Sequence, residues 1–165
     1  MPIHPIPPVY SSDPQTPPRI LILGSFPSVK SRETAFFYGH PQNRFWRVMA
    51  AILDEPVPTT IEEKMALLRS HGIALWDVIA SCDIHGSSDS SITNVVPTDL
   101  TPLLRGGTIR AVFTNGTTAT RLYKRYQESV TGMTATPLPS TSPANATRSL
   151  DQLVKAWSVI RDHLS

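Results

Sequence analysis

Four short apolar runs, separated by helix-like patterns and long polar loops, constrain the fold of this chain more than any other feature. The runs span residues 19–23, 73–79, 110–113 and 133–138. Each is short enough for a buried strand, and Pro17, Pro18 and Gly24 bound the first one. Strands that alternate with helices pair in parallel through right-handed crossovers, with helices on both faces of the sheet. We therefore predict a three-layer α/β/α fold with a central, mostly parallel, four-stranded sheet.

Helical periodicity fills the segments between these runs. Apolar residues recur at helical spacing over 45–53, and Pro56 ends that pattern. Thr60 and Glu63 match a capping box, which predicts a second helix that stops at Gly72. The last predicted helix has an apolar face formed by Leu150, Leu153, Val154, Trp157, Ile160 and Leu164.

Length and composition indicate one domain. The chain has 165 residues, of which 40% are hydrophobic and 17% charged. We predict a single domain over residues 19–165, preceded by a proline-rich lead-in at 1–18. No apolar run approaches the roughly 20 residues that cross a bilayer, and the N-terminus lacks the pattern of a secretory signal. We expect a monomeric, cytoplasmic protein without a membrane partner.

The cysteine and histidine content argues against a bound metal. Cys82 is the single cysteine, which forbids an internal disulfide and argues against an iron–sulfur cluster or a structural zinc site. The five histidines show no pair at helical metal-ligand spacing. We therefore expect neither a metal nor a cofactor.

The distribution of charge is more informative than its sum. The net charge of +2 does not by itself indicate nucleic-acid binding. Between residues 100 and 150, however, Glu128 is the one acid, and the cations are Arg105, Arg110, Arg121, Lys124, Arg125 and Arg148. Arg121, Lys124 and Arg125 share one helical face and are candidates for phosphate contacts. A solvated surface is the alternative.

Four loops follow the predicted strands, and folds of this class bind ligands beyond the carboxyl ends of their strands. The loops span residues 24–41, 81–93, 115–118 and 139–145. In the first loop, the turn at Gly24 lets the backbone approach a ligand closely, and the adjacent aromatic rings can stack on a planar group. Core packing is the alternative role for these rings.

Segments of these loops, taken in order, match a known family. They are 24–28 (GSFPS) after a strand, 40–46 (HPQNRFW) opening a helix, 115–116 (NG) after a later strand, and 140–145 (STSPAN) before the last helix. In combination they resemble the uracil-DNA glycosylase superfamily, above all its hypoxanthine-DNA glycosylase branch, which is related to the mismatch-specific uracil-DNA glycosylases. The resemblance extends from the first predicted strand to the C-terminus.

The resemblance implies an enzyme that hydrolyses the bond between deoxyribose and a deaminated base, hypoxanthine or uracil, and leaves an abasic site. Its partner would be double-stranded DNA, the target base would leave the duplex stack before reaction, and no cofactor would be needed. Two alternatives stay open. One is a small nucleoside or ester hydrolase on the same fold, although the chain lacks a G-x-S-x-G elbow. The other is a non-catalytic module that binds damaged DNA.

Asn43 matches the functional asparagine of this branch and is the predicted catalytic residue. Its amide oxygen would accept from a water while its NH2 group holds a second acceptor, which positions a nucleophile without titration. The alternative is a cap for a helix beginning at Arg44, and the two roles can coexist. Phe26 stands where most branches of the superfamily have a water-activating Asn or Asp. This position is therefore excluded from catalysis, and the task falls to Asn43.

The predicted base-binding residues are Gly24, Ser25, Phe26, Tyr38, Phe37 and Asn115. Tyr38 matches the aromatic residue on which the flipped base would stack, with Phe37 as the substitute if the loop is shifted by one, and Phe26 is a candidate wall. Asn115 would hydrogen-bond the base or a phosphate, with a simple Asn-Gly turn as the alternative. Asp77 stands where some relatives place a base-reading asparagine, but its carboxylate would repel an anionic leaving base unless it were protonated.

The resemblance also implies a wedge that enters the DNA minor groove beside the extruded nucleotide. Its residues are Ser140, Thr141, Ser142, Pro143, Ala144 and Asn145. Ser140 replaces a histidine of the single-strand-tolerant uracil enzymes, so backbone N–H groups or another side chain must stabilise the leaving base. An ordinary helix-cap loop is the alternative for this segment. His40 and His85 are candidates for a supporting role.

Overall fold

The structure is a computed structural model that describes residues 6–26, 36–83 and 93–164. Within these residues the strands are β1 (Ile20–Gly24), β2 (Ile73–Asp77), β3 (Ile79–Asp83), β4 (Thr93–Pro97), β5 (Ala111–Asn115) and β6 (Ala135–Leu138). The helices are α1 (Phe45–Leu53), α2 (Ile61–Ser70), α3 (Thr101–Leu104), α4 (Thr117–Tyr126), α5 (Glu128–Thr131) and α6 (Leu150–Trp157). A 3-10 helix (Ser158–His163) follows α6 directly.

Four of these strands form one parallel sheet in the order β2-β1-β5-β6. Its register pairs Gly24 with Asp77 and Asn115 with Leu138. Because the strands run in the same direction, their carboxyl ends meet at one end of the sheet. Three of the four predicted ligand-binding loops, those at 24–41, 115–118 and 139–145, therefore start side by side.

Helices cover both faces of this sheet because successive side chains of β1 point to opposite sides. Ile20 and Ile22 belong to a core shared with α1, α2 and α6, whereas Leu21 and Leu23 belong to a core shared with α3 and α4. All four side chains are fully buried, and each contributes about 1.5–3 kcal/mol through removal from water. The predicted three-layer α/β/α fold is confirmed.

The apolar run at 73–79 contains two strands rather than the single predicted strand. β2 ends at Asp77 in the main sheet, and β3 begins at Ile79 in a separate antiparallel pair with β4. The chain leaves the sheet at Val78, whose N–H donates to the carbonyl of Gly24 over 2.8 Å. Val78 and Ile79 are as buried as β2 itself. Burial continues across the break, so the sequence analysis treated the segment as one strand.

The predicted loop at 81–93 is a strand at both ends. β3 extends to Asp83 and β4 begins at Thr93. Most of β4 is exposed, and the sequence analysis predicted no strand for it. Residues 84–92 lie outside the described part of the chain.

The described part of the proline-rich lead-in packs against the outer side of β2. Val9 and Leu75 exchange two backbone hydrogen bonds of 2.9 Å in an antiparallel bridge. Trp76 Nε1 donates to the carbonyl of Ile6 over 3.2 Å, and the Ile6 side chain is buried. Residues 6–10 thus cover an edge strand that would otherwise be open to pairing with another chain.

Local sequence sets the helix starts. The capping box predicted for α2 is present, because Thr60 accepts from the Glu63 N–H and the Glu63 side chain accepts from the Thr60 N–H. Ser149 and Gln152 form a second capping box at the start of α6, so the cap lies after the segment 140–147. Among the described residues, no helix combines the length and apolar character needed to cross a bilayer.

Candidate active site

Two polar side chains crowd around Gly24 at the carboxyl end of the sheet. A Cβ atom on Gly24 would lie 2.5 Å from Asp77 Oδ1 and 2.9 Å from the Tyr38 hydroxyl. Both distances are too short for a real Cβ contact, so this close approach requires glycine. Asp77 is only 3% exposed and is the register partner of Gly24. The Tyr38 and Asp77 side chains therefore meet at the end of β1.

The Tyr38 ring lies against α1. It stacks on the ring of Phe45, with centroids 4.2 Å apart and planes at 24°. The backbone of Tyr38 has a φ of 55°, in the left-handed region. Its hydroxyl is buried and has no hydrogen-bond partner among the residues that the structure describes. Such a group costs about 1–3 kcal/mol, which a ligand with a suitable acceptor would recover.

The environment of Tyr38 keeps its hydroxyl protonated. Burial raises the pKa of Tyr38 well above its ordinary value, and the negative charge of Asp77 raises it further. The nearby Asn115 side chain lowers the pKa of Tyr38 by a smaller amount. It does not meet the geometry of a hydrogen bond to the Tyr38 hydroxyl. Tyr38 is therefore a neutral phenol that can donate a hydrogen bond.

A chain of hydrogen bonds joins Asn43, Thr141 and Asn115. Thr141 Oγ1 donates to Asn43 Oδ1 over 2.9 Å and accepts from Asn115 Nδ2 over 3.0 Å. The backbone N–H of Thr141 also donates to Asn115 Oδ1 over 3.1 Å. Asn115 ends β5 and Thr141 follows the neighbouring β6, so the sheet brings them together. We call these three residues the asparagine network.

Asn43 fixes the start of α1 with its amide oxygen. Besides Thr141, this oxygen accepts from the N–H of Phe45 over 2.9 Å. The helix begins at Phe45, one residue later than predicted, and Arg44 occupies the N-cap position. Two donors use both lone pairs of the oxygen. No lone pair is left for the water that the sequence interpretation assigned to this oxygen. The Asn43 Nδ2 group has no partner among the described residues and remains available to a ligand.

Of the other predicted base-binding residues, Phe37 and Phe26 are buried and Ser25 is half-buried. Phe37 is 2% exposed in the core on the α1 side, and its carbonyl accepts from Trp46 Nε1 over 3.1 Å. This placement agrees with the core-packing alternative for its ring. Phe26 is 9% exposed in the core on the opposite face of the sheet. Ser25 is half-buried, and its carbonyl accepts from the Ile79 N–H over 3.1 Å.

Arg44 holds the segment 140–145, which we call the wedge loop. Its guanidinium donates to the carbonyls of Ser142 over 3.1 Å and Asn145 over 2.9 Å, and to that of Arg148. Sequence reasoning assigned no role to Arg44, although it stands beside Asn43 in the quoted motif. Its partners are 98 to 104 residues away along the chain, and contacts of that range leave no local sequence pattern.

The wedge loop presents an exposed tip and a buried base. Pro143 and Ala144 are exposed, whereas Thr141 is fully buried. Asn145 Nδ2 donates to the carbonyl of Ser140 over 2.9 Å and closes the loop on itself. The Thr141 side chain therefore faces the interior instead of an approaching DNA, and the other members of the loop remain the candidates for that contact.

His40 stabilises the turn before α1. Its Nδ1 accepts from the Gln42 N–H over 3.0 Å, and its carbonyl accepts from the Asn43 N–H over 3.0 Å. His40 thus supports Asn43 through the backbone. The other predicted supporting residue, His85, lies outside the described residues. In the described part of the chain, no three His, Cys, Asp or Glu side chains cluster as a metal site would require.

Exposed cations line two hollows, one on α4 and the other at the start of α6. A groove of about 510 Å³ on α4 is lined by Thr117, Thr120, Arg121, Lys124, Arg125 and Pro137. A second hollow of about 490 Å³ is lined by Thr147, Arg148, Gln152, Lys155 and Ala156. Neither lining includes an acidic residue, which suits contact with phosphate groups.

Comparisons with known sequences agree with these features. Residues 12–161 match the family model of the Uracil DNA glycosylase superfamily. A protein of Methanosarcina acetivorans named hypoxanthine DNA glycosylase is 35% identical over 130 residues, covering 76% of this chain and 80% of that protein. A protein of the same name from Methanosarcina barkeri is 36% identical over 74 residues, covering 44% of this chain and 47% of its own length.

A solved structure extends the similarity to the fold. The solution NMR structure of a candidate uracil DNA glycosylase from Methanosarcina acetivorans has a TM-score of 0.79 to this chain at 31% identity. The match covers 96% of both chains. The family match contains every strand of the sheet and the segments that surround its carboxyl end. The chain therefore belongs to the uracil DNA glycosylase superfamily.

Proposed function

We propose that this protein is a monofunctional DNA glycosylase that hydrolyses the N-glycosidic bond of hypoxanthine, and also of uracil, in double-stranded DNA. The superfamily supplies the class of reaction, and the relatives named hypoxanthine DNA glycosylase support hypoxanthine as a substrate. The observation that carries the proposal is the asparagine network beside the unpaired Tyr38 hydroxyl at the carboxyl end of the sheet.

The chemistry needs an oriented water and stabilisation of the departing base. The N-glycosidic bond breaks as the sugar becomes oxocarbenium-like and negative charge leaves on the base. The water oxygen then bonds to the sugar carbon, and the proton that the water loses goes to the departed base, so no covalent enzyme intermediate is required. Asn43 orients the water by donation from Nδ2 to the water oxygen, since its own oxygen is occupied. Tyr38 offers the ring face opposite Phe45 for stacking of the base. Preorganised N–H and O–H donors stabilise the leaving base without a metal ion.

DNA binding extracts the base before this chemistry begins. Extrusion from the stack costs a few kcal/mol, and less for a mispaired base such as hypoxanthine or uracil. The exposed tip of the wedge loop, Pro143 and Ala144, is assigned to the minor groove beside the extruded nucleotide. The cations on α4 are assigned to phosphates, so affinity should fall as salt concentration rises.

One chain supplies every named residue of this proposed site, so we propose that the active form is a monomer. We also propose that it acts in the cytoplasm. Asn43, Thr141, Asn115 and the wedge loop all come from the same domain. Size-exclusion chromatography with light scattering should give the mass of one chain for the free protein. For the DNA complex it should give the mass of one chain plus one duplex.

Three duplexes test the proposed function. They carry one deoxyinosine, one deoxyuridine or no lesion, and alkaline strand scission after incubation reveals abasic sites. We expect scission at both lesions and none in the undamaged duplex. Binding of the deoxyinosine duplex without scission would indicate a damage-binding module. Turnover of free deoxyinosine without action on the duplex would indicate a nucleoside hydrolase, and either outcome overturns the proposal.

A further inference from the structure

Thr141 uses all of its polar groups within the protein. Its hydroxyl and backbone N–H bond the two asparagines, and its carbonyl accepts from the Arg44 N–H over 3.0 Å. The residue has no exposed surface. It follows β6, whereas Asn43 and Arg44 precede α1, so these bonds join two separate loops at the carboxyl end of the sheet.

Two backbone N–H groups fix how both asparagine amides are turned. A backbone N–H can only donate, so the Asn43 atom that lies 2.9 Å from the Phe45 nitrogen is its oxygen. By the same reasoning, the Asn115 atom that lies 3.1 Å from the Thr141 nitrogen is its oxygen. The Asn115 atom that faces Thr141 Oγ1 is then the NH2 group.

The Thr141 hydroxyl can satisfy these neighbours in only one direction. It must accept from the Asn115 NH2 group, and its single proton must go to the Asn43 oxygen. This arrangement leaves the Asn43 NH2 group for a ligand. Thr141 therefore cannot be replaced at this point by a residue that lacks a hydroxyl or by a side chain that can only accept hydrogen bonds.

We propose that Thr141 is a positioning residue that orients Asn43 and Asn115 for the reaction. Without its hydroxyl, Asn43 keeps only the Phe45 N–H to define its amide plane, and Asn115 Nδ2 loses its acceptor. Both side chains then gain rotational freedom. The effect of Thr141 on the rate rests on the proposed function, whereas its effect on the two asparagines does not.

Substitutions of similar shape separate the hydroxyl from the packing. Thr141→Val keeps the branched shape of the side chain and removes the hydroxyl, whereas Thr141→Ser keeps the hydroxyl. Thr98 offers a matched control because it is 4% exposed and its hydroxyl has no hydrogen-bond partner among the described residues. Thr98→Val therefore removes a buried hydroxyl without removing a hydrogen bond.

Single-turnover release of hypoxanthine from a deoxyinosine duplex measures the effect on the reaction. We expect Thr141→Val to be about 100-fold slower than wild type with unchanged duplex affinity, since a small misplacement of reacting groups costs about that much. Thr141→Ser should recover most of the rate, and Thr98→Val should match wild type. A Thr141→Val enzyme with the wild-type rate, or a serine variant as slow as the valine variant, would overturn the assignment.

Exchange of side-chain amide protons in the 15N-labelled wild-type protein gives a readout that needs neither activity nor a folded variant. We expect one Nδ2 proton of Asn115 to exchange with solvent much more slowly than the amide protons of the exposed Gln42. Exchange as fast as that of Gln42 would overturn the role of Thr141, even in an active enzyme. Slow exchange in a protein that releases no hypoxanthine would instead refute only the proposed function.

Discussion

Two halves of the same end of the sheet use their polar groups in opposite ways. In the asparagine network, the hydroxyl and the backbone N–H of Thr141 are both hydrogen-bonded, and the Asn43 oxygen accepts two hydrogen bonds. At the end of the neighbouring strand β1, the Tyr38 and Asp77 side chains crowd over Gly24, and the Tyr38 hydroxyl has no partner among the described residues. Within the described residues, the first half is hydrogen-bonded throughout except at the Asn43 NH2 group, whereas the second half keeps a buried hydroxyl without a partner.

This difference separates two requirements of a reaction that acts on an extruded base. Groups that position a water must not rotate, and hydrogen bonds within the protein hold them. A group that recognises a ligand must have hydrogen-bonding capacity left, which costs about 1–3 kcal/mol in the free protein. We therefore interpret the asparagine network as the rigid half of the site and the Tyr38 corner as the receptive half.

The largest expected effect comes from removing the Asn43 NH2 group. Asn43→Asp keeps an oxygen for Phe45 and Thr141 but loses the donor, whereas Asn43→Ala loses both. We expect both variants to release hypoxanthine about 10²–10³-fold more slowly. Asn43→Ala should still bind the deoxyinosine duplex, and Asn43→Asp should melt at the higher temperature of the two. Wild-type activity in Asn43→Asp would show that the NH2 group is not required.

The next largest effect is expected at Gly24. A methyl group there would lie 2.5 Å from Asp77 Oδ1, so Gly24→Ala must displace Asp77, Tyr38 or β1 itself. We expect a loss of about 1–3 kcal/mol in urea unfolding, together with reduced hypoxanthine release. Gly106→Ala is the control, since nothing lies within 4 Å of its Cβ position. Equal stability of the two variants would contradict the crowding.

A smaller effect of opposite sign is expected for Tyr38→Phe. The substitution removes the unpaired hydroxyl and leaves the ring stacked on Phe45. We expect the free energy of unfolding to rise by up to about 1 kcal/mol while hypoxanthine release slows. Tyr38→Leu removes the stacking ring as well and should slow release further. A Tyr38→Phe enzyme that is both less stable and fully active would show that the hydroxyl stabilises the fold and does not take part in ligand binding.

The pH dependence of stability provides a second measurement on Tyr38. Its pKa is raised in the folded state, so the unfolded chain ionises first as pH increases. Titration of Tyr38 therefore leaves the free energy of unfolding unchanged below about pH 10, the ordinary range of tyrosine, and lowers it above that pH. Urea unfolding of wild type and Tyr38→Phe between about pH 8 and 11 should show the smaller decline in the variant.

The smallest effect on the reaction is expected at the start of α2. Thr60→Ala removes a cap that resembles the one at Asn43 but lies away from the site, and it should cost about 1 kcal/mol without changing the rate. Hydrogen bonds from Thr60 and Thr59 lower the pKa of Glu63 to about 2. The stability difference between wild type and Glu63→Gln should therefore persist above the ordinary pKa of glutamate and vanish as pH falls toward 2. A rate change in Thr60→Ala would weaken the contrast with Asn43.

The layered fold was predictable because its determinants are local. Buried runs such as 19–23 and the capping box at Thr60 identify strands and helix starts from a few neighbouring residues. The break at Val78 was not predictable, since the chain stays buried on both sides of it. For the same reason, the single amphipathic pattern at the C-terminus did not indicate where α6 changes to a 3-10 helix at Ser158.

The candidate site was predictable as a set of loops but not as a set of contacts. Strand ends placed Gly24 and Asn115 at one end of the sheet, and the register agrees. The inward side chain of Thr141 and the occupied oxygen of Asn43 depend on partners far away in the sequence. A small polar residue in a polar loop gives no sign that it will be buried.

The position of Arg44 links recognition to chemistry. The Arg44 guanidinium donates hydrogen bonds to the backbone of the wedge loop, and Arg44 directly follows Asn43 in the sequence. A displacement of the wedge loop would therefore move Arg44 and, with it, the adjacent Asn43. Under the proposed function, this arginine couples contact between the wedge loop and DNA to the position of the asparagine amide.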